Sequence, residues 1–173
     1  MIIKNYMNVS ERKIVTHKFT NWNDIPDVKH LQTIENNYVD VFESKCREGA
    51  ERYITYISYV IENDIVVAFG SASYYNEGNY YGKNKTRQLW IEGLVSTSKG
   101  CGTLVLQELE KALITIADEF NVKYKIINVM SVDDSIGFYE NNDYIECRTS
   151  PIFEYKYSLG LWGSRFMTFI SQL

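Results

Sequence analysis

A run of small residues, Ser98-Lys99-Gly100-Cys101-Gly102-Thr103, joins a strand-like apolar stretch, Leu89 to Val95, directly to a long amphipathic segment. That junction constrains the fold more than any other part of the chain. Its glycines permit a tight turn and a close approach of backbone to ligand. A helix starting there presents unpaired N–H groups and the positive end of its dipole, which together seat phosphate. A plain strand-to-helix turn satisfies the same residues, so the junction fixes a local unit before it fixes a ligand.

The rest of the pattern surrounds this unit with strands and helices. Lys13 to Phe19 alternates as a first strand, and Asp24-Ile25-Pro26-Asp27 is a helix start. Val28, Leu31, Ile34, Tyr38 and Phe42 then predict a helix, or a broken pair, over 26–48. Tyr53 to Val60 and Ile65 to Ala72 flank the short polar turn Glu62-Asn63-Asp64 and predict a hairpin. Tyr74 to Tyr81 reads as an aromatic loop, followed by a strand from about Arg87 into the glycine turn. Val105, Leu109, Ala112, Leu113, Ile116 and Phe120 form the buried stripe of the long helix. Lys125–Met130 predicts a strand and 133–141 a helix; Tyr144–Arg148 and Phe153–Ser158 predict the last strands. Leu161 to Leu173 reads as a short amphipathic helix over a sheet edge. No linker or repeat interrupts this order, which predicts a single domain over residues 1–173 of α/β (α+β) class, a mixed sheet with helices on both faces.

Charge and cysteine usage narrow the partners. A net charge of −4 without a basic run lacks the electrostatic footprint of nucleic-acid binding, so no nucleic-acid partner is expected. Cys46, Cys101 and Cys147 are odd in number and widely spaced, and His17 and His30 are the chain's two histidines; neither a disulfide framework nor a zinc set follows, and no metal is expected. A reducing, cytoplasmic setting is the expectation, with no signal peptide and no apolar run of membrane-spanning length. The apolar C-terminal residues Leu161, Trp162, Phe166, Phe169 and Ile170 offer a surface for a second copy of the chain.

Gly100-x-Gly102 and, one helix and one strand later, Phe138-Tyr139-Glu140 with Asp143-Tyr144 resemble the two signature segments of the GNAT family of acetyl-CoA-dependent N-acetyltransferases. The first resembles the Q/R-x-x-G-x-G/A pyrophosphate loop and the second the F-Y-E-K-x-G-F segment. The likeness spans about residues 88–148. Thr97 stands where the family has Gln or Arg, Val132 where Asn is frequent, and Asp143 where Gly precedes the aromatic. The resemblance implies the acyl-CoA N-acyltransferase fold, with acetyl-CoA as co-substrate and a small-molecule or protein amine as acceptor. It further implies a V-shaped opening between two splayed strands, with the pantetheine arm along Leu94 and Val95. The diphosphate would lie on Gly100, Cys101, Gly102 and Thr103.

An alkylammonium must lose a proton before it attacks a thioester, so a base is useful. Glu92, on the strand entering the turn, is the candidate, although a solvated strand carboxylate fits the same position. The resemblance assigns Tyr139 as proton donor to the departing thiolate and the Val95 N–H as support for the thioester carbonyl. Lys99 is either a counter-charge for phosphate or a solvated turn lysine. Cys101, without a neighbouring histidine, reads as the small residue a tight turn needs rather than as a nucleophile. The Tyr74–Tyr81 loop with Glu77, and the helix near Tyr38 and Glu43, are candidate acceptor walls. A non-catalytic acyl-CoA-binding or interaction module on the same fold is the alternative. A nucleotide hydrolase is disfavoured because the turn lacks GxxxxGK[ST] spacing.

Overall fold

Two residues in the left-handed region, Asn63 (φ 50°) and Asp64 (φ 62°), close the central hairpin. Asn and Asp tolerate that conformation, and a two-residue loop with both φ positive matches the twist of its flanking strands. The computed structural model describes residues 12–19, 53–75, 87–122, 125–147 and 164–170. The expected helix over 26–48, with Tyr38 and Glu43, the loop from Asn76 and the strand Phe153–Ser158 lie outside the described residues.

β1 (Arg12–Phe19), β2 (Tyr53–Glu62), β3 (Ile65–Tyr75) and β4 (Gln88–Ser96) form an antiparallel meander. Helix α1 (Cys101–Glu119) then crosses to β5 (Ile126–Val132), which lies parallel to β4. A 3-10 turn (Asp133–Ser135), α2 (Ile136–Glu140), β6 (Ile145–Cys147) and β7 (Ser164–Ile170) follow. The seven strands of the described residues are ordered β1-β2-β3-β4-β5-β7-β6. This is the expected mixed sheet, with one correction at its end. The C-terminal segment is not a helix on the edge: β7 lies between β5 and β6, antiparallel to both. The three-residue spacing of Phe166 and Phe169 imitates a helix, but ladders available on both sides override that local pattern. Of the residues expected to meet a second copy, Phe166, Phe169 and Ile170 lie in this paired strand, and Leu161 and Trp162 lie outside the described residues.

α1 buries Cys101, Gly102, Val105, Leu106, Leu109, Leu113, Ile116 and Ala117. These face Ala68, Gly70, Ala72 and Tyr74 of β3, where small residues admit a close helix. A Cβ on Gly70 would lie 2.9 Å from the Gly93 carbonyl oxygen and 3.0 Å from both Leu109 Cδ1 and Val105 Cγ1. Gly70→Ala is expected to cost about 1–3 kcal/mol through overpacking, read as a lower urea midpoint with an unchanged slope. An unchanged midpoint would contradict this helix–sheet approach.

The helix ends in a Schellman cap: Asn121 is left-handed (φ 52°), Val122 N–H donates to Ala117 O at 2.8 Å and Asn121 N–H to Asp118 O at 3.0 Å. The adjacent Phe120 ring stacks on Tyr74 at 5.1 Å. Tyr74 is thus a core residue of β3, fully buried, and not the start of an acceptor-side loop.

Candidate active site

β4 and β5 pair only at Leu89↔Ile127, Trp90↔Asn128 and Ile91↔Val129. Beyond that level β4 continues along β3 to Ser96, while β5 continues along β7 to Val132. The two strands share no ladder there, which leaves a wedge open toward their C-terminal ends. A bulge sits at its apex. The β3–β4 register passes from Ala72↔Ile91 to Ser71↔Gly93, so Glu92 is an extra residue. Such an insertion bends a strand and re-aims its side chains.

The bulge resolves an ambiguity of parity. Glu92 and Leu94 are two apart and would share a face in a regular strand. Here Leu94 lies on the α1 side, with Cδ2 beside Gly102, whereas Glu92 accepts a hydrogen bond from the hydroxyl of Tyr75 on the other face. Backbone direction follows in the same way. Thr97 N–H donates to Val67 O at 2.8 Å, and Val95 is paired with Phe69 two residues earlier. Antiparallel alternation then turns the N–H and C=O of Val95 toward β3, and those of Leu94 and Ser96 toward the wedge.

At the wedge's end, a pocket of about 290 Å³ is lined by Ser96, Thr97, Ser98, Lys99, Gly100, Gly102, Thr103 and Phe138. Gly100 takes φ 80°, which favours glycine. A Cβ on Gly102 would come within 3.3 Å of Ser96 Cβ and 3.4 Å of Phe138 Cε2, so the absence of a side chain keeps this wall shallow. Cys101 N–H donates to Ser98 O at 3.2 Å, and Leu104 N–H to Gly100 O at 3.3 Å. The N–H groups of Gly102 and Thr103 have no acceptor among the described residues.

Cys101 itself turns inward. Its side chain is fully buried, and Sγ lies 3.7 Å from Glu62 Oε1. It lines no part of the pocket, which leaves the thiol no approach for a nucleophile's role. Thr97, at the position of the family's Gln or Arg, donates its hydroxyl to Val67 O at 3.1 Å and ties the turn to β3. Sequence reasoning missed Glu62, a hairpin-turn residue with no distinguishing pattern. Its carboxylate accepts from Ser98 Oγ at 3.0 Å and pairs with the Arg12 guanidinium. Arg12 first, then Ser98, holds that carboxyl below the usual range.

Tyr139 sits on α2 beside the pocket-lining Phe138. The ring is 5% exposed, edge-on to Phe138 at 5.1 Å and to Tyr144 at 5.4 Å. Its hydroxyl has no hydrogen-bond partner among the described residues, yet no unpartnered side-chain polar atom is sealed from solvent. Burial pushes its phenol up to about 12. Tyr144 donates to Glu110 Oε1 at 2.9 Å, anchoring the segment to α1, where burial raises the Glu110 carboxyl. α2 ends with Tyr144 N–H on Tyr139 O at 3.0 Å and Asp143 left-handed (φ 65°). Asp tolerates this conformation, which glycine adopts more readily.

Among the described residues no group of three or more His, Cys, Asp or Glu is placed to hold a metal ion, and no helix is long and apolar enough to cross a membrane.

No protein-family profile matches the chain, and no curated protein matches its sequence. Solved structures do match it in fold. Arabidopsis thaliana NAA60 in complex with acetyl-CoA is 12% identical, with 91% of this chain and 98% of that chain covered and a TM-score of 0.55. The Bacillus subtilis N-acetyltransferase YlbP protein in complex with coenzyme A is 12% identical, covering 93% and 97%, at a TM-score of 0.51. The KacTA–DNA complex matches at 10% identity, covering 91% and 93%, at a TM-score of 0.52. An assembly containing DNA thus occurs with this fold, and the argument against nucleic acid rests on this chain's charge alone. These likenesses in fold, over more than nine-tenths of the chain, show that it has the GNAT fold.

Proposed function

We propose that the chain is a single-domain enzyme that transfers the acetyl group of acetyl-CoA to a primary amine by direct attack within a ternary complex. The observation that carries this reading is the end of the β4–β5 ladder at Ile91↔Val129 beside the pocket of about 290 Å³. The pocket suits a diphosphate: it is small, glycine-walled and bordered by the unbonded amides of Gly102 and Thr103, with Lys99 as a counter-charge. Gly100 supplies the turn and Cys101 packs beneath it. An extended pantetheine arm fits the wedge as an added strand, bonding the outward backbone groups of Leu94 and Ser96. The Leu94 N–H takes the role that the resemblance gave to Val95, because the Val95 N–H is directed to β3.

In this scheme the amine nitrogen forms the new N–C bond as the C–S bond breaks. Its proton passes to Glu92, directly or through one water. The departing sulfur receives a hydrogen bond from Tyr139. Holding both substrates in one cleft supplies the larger share of the acceleration. The acceptor is a small-molecule or protein amine, in a reducing, cytoplasmic setting.

Calorimetry with coenzyme A and acetyl-CoA, joined to thiol release over an amine panel, tests the reading. Binding at micromolar to sub-millimolar concentrations with turnover on at least one amine is expected. Tight binding without turnover on any amine would favour a non-catalytic acyl-CoA module instead. No binding would overturn both.

A further inference from the structure

The tip of the glycine turn, Lys99-Gly100, has little packing to hold it. Lys99 and Gly100 are exposed, and a Cβ placed on Gly100 would meet nothing within 4 Å. Polar contacts hold it: Thr97 anchors its leading edge to Val67 O of β3, and the others converge on Ser98. The Ser98 carbonyl accepts from Ser96 Oγ at 2.8 Å and from Cys101 N–H at 3.2 Å. The Ser98 hydroxyl donates to Glu62 Oε2 at 3.0 Å, while Cys101 Sγ donates to Glu62 Oε1 at 3.7 Å. One carboxylate at the end of β2 thus grips both flanks of Lys99-Gly100.

A carboxylate beside an anion site would ordinarily repel the ligand. Here Arg12 of β1 pairs with Oε1, the same oxygen that Cys101 Sγ approaches, so the charge of the tether is neutralised. A turn ordered before the ligand arrives loses less entropy on binding.

We infer that Glu62 is a positioning residue for the coenzyme: through Ser98 and Cys101 it holds the glycine turn in the conformation that receives the diphosphate. This rests on the acetyl-transfer reading, and concerns a residue that touches neither substrate.

Two variants and two readouts test it. Glu62→Ala removes the tether, and Ser98→Ala removes one arm of it without disturbing the hairpin. In the free protein, both are expected to accelerate amide hydrogen exchange across residues 100–103. In kinetics, both are expected to raise KM for acetyl-CoA roughly tenfold while leaving KM for acetyl-pantetheine, which lacks the diphosphate, within about twofold. The double variant is expected to be no weaker than Glu62→Ala, since Ser98→Ala removes only an arm that Glu62→Ala has already removed. Unchanged exchange in both variants overturns the inference, as does an equal loss toward both thioesters. If the unaltered protein has no affinity for coenzyme A, the acetyl-transfer reading falls and takes this role with it. Unaltered protein that binds, with variants that exchange and bind alike, removes the inference alone.

Discussion

Replacing Tyr139 with phenylalanine is expected to lower kcat for acetyl transfer about a hundredfold and to leave coenzyme affinity within about twofold. The ring stays, with its edge contacts to Phe138 and Tyr144, and the lost hydroxyl has no partner among the described residues. The melting temperature should therefore not move, and any loss of rate belongs to the reaction. Magnitudes decide what the hydroxyl does. Burial sets the Tyr139 phenol at about 12, whereas an alkyl thiol titrates near about 8.5, so full proton transfer to the thiolate is uphill by about 5 kcal/mol. In the proposed reaction Tyr139 would accordingly stabilise the departing sulfur by donating a hydrogen bond while keeping its proton, and solvent would supply the final one. Two outcomes follow. The residual rate of Tyr139→Phe is measurable rather than zero, and its pH profile between about 6 and 10 has the wild-type shape, because the phenol is neutral throughout that window. An alkaline limb present in the wild type and absent from the variant would refute this role, as would a kcat within about threefold of wild type.

Much of this architecture is legible in the residues. Asn63-Asp64 between two β-branched runs specifies its hairpin, and the stripe from Val105 to Ile116 specifies α1. Both follow from short-range rules of backbone conformation and periodicity. The glycine turn and Phe138-Tyr139 were readable for the same reason: each lies within one local unit. The bulge was half legible. Leu89 and Ile91 are two apart, but the next α1-facing residue is Leu94, three further on. That break in alternation is the trace of Glu92's insertion. β7 was not legible, because its conformation depends on ladders offered by β5 and β6. Glu62 was hidden for a related reason, as its partners Arg12, Ser98 and Cys101 are 50, 36 and 39 residues away along the chain. Long-range polar contacts leave no periodic trace.

Glu92→Gln is expected to cut kcat/KM at neutral pH about a hundredfold, the lower end of what general-base removal costs. Glutamine keeps the shape and an oxygen for the Tyr75 hydroxyl, so the bulge and the β3–β4 register survive, and circular dichroism should show an unchanged melt. What is lost is an acceptor for the amine's proton. A primary alkylamine titrates near about 10.4, so at pH 7.4 only about one molecule in a thousand carries a free lone pair. In the proposed reaction Glu92 would take one proton from the bound ammonium before the freed lone pair attacks, and the second would leave to solvent as the C–S bond breaks. Without Glu92 the enzyme must await the free amine, and kcat/KM should climb about tenfold per pH unit up to about pH 9, where the wild type is flat. Tyr75→Phe separates base from scaffold. It frees Glu92 Oε1 without removing the carboxylate, so it should cost less than about tenfold and preserve the flat profile. If Glu92→Gln stays within about threefold of wild type with the same pH slope, the proton leaves by another route, and the carboxylate at the bulge serves only to hold Tyr75.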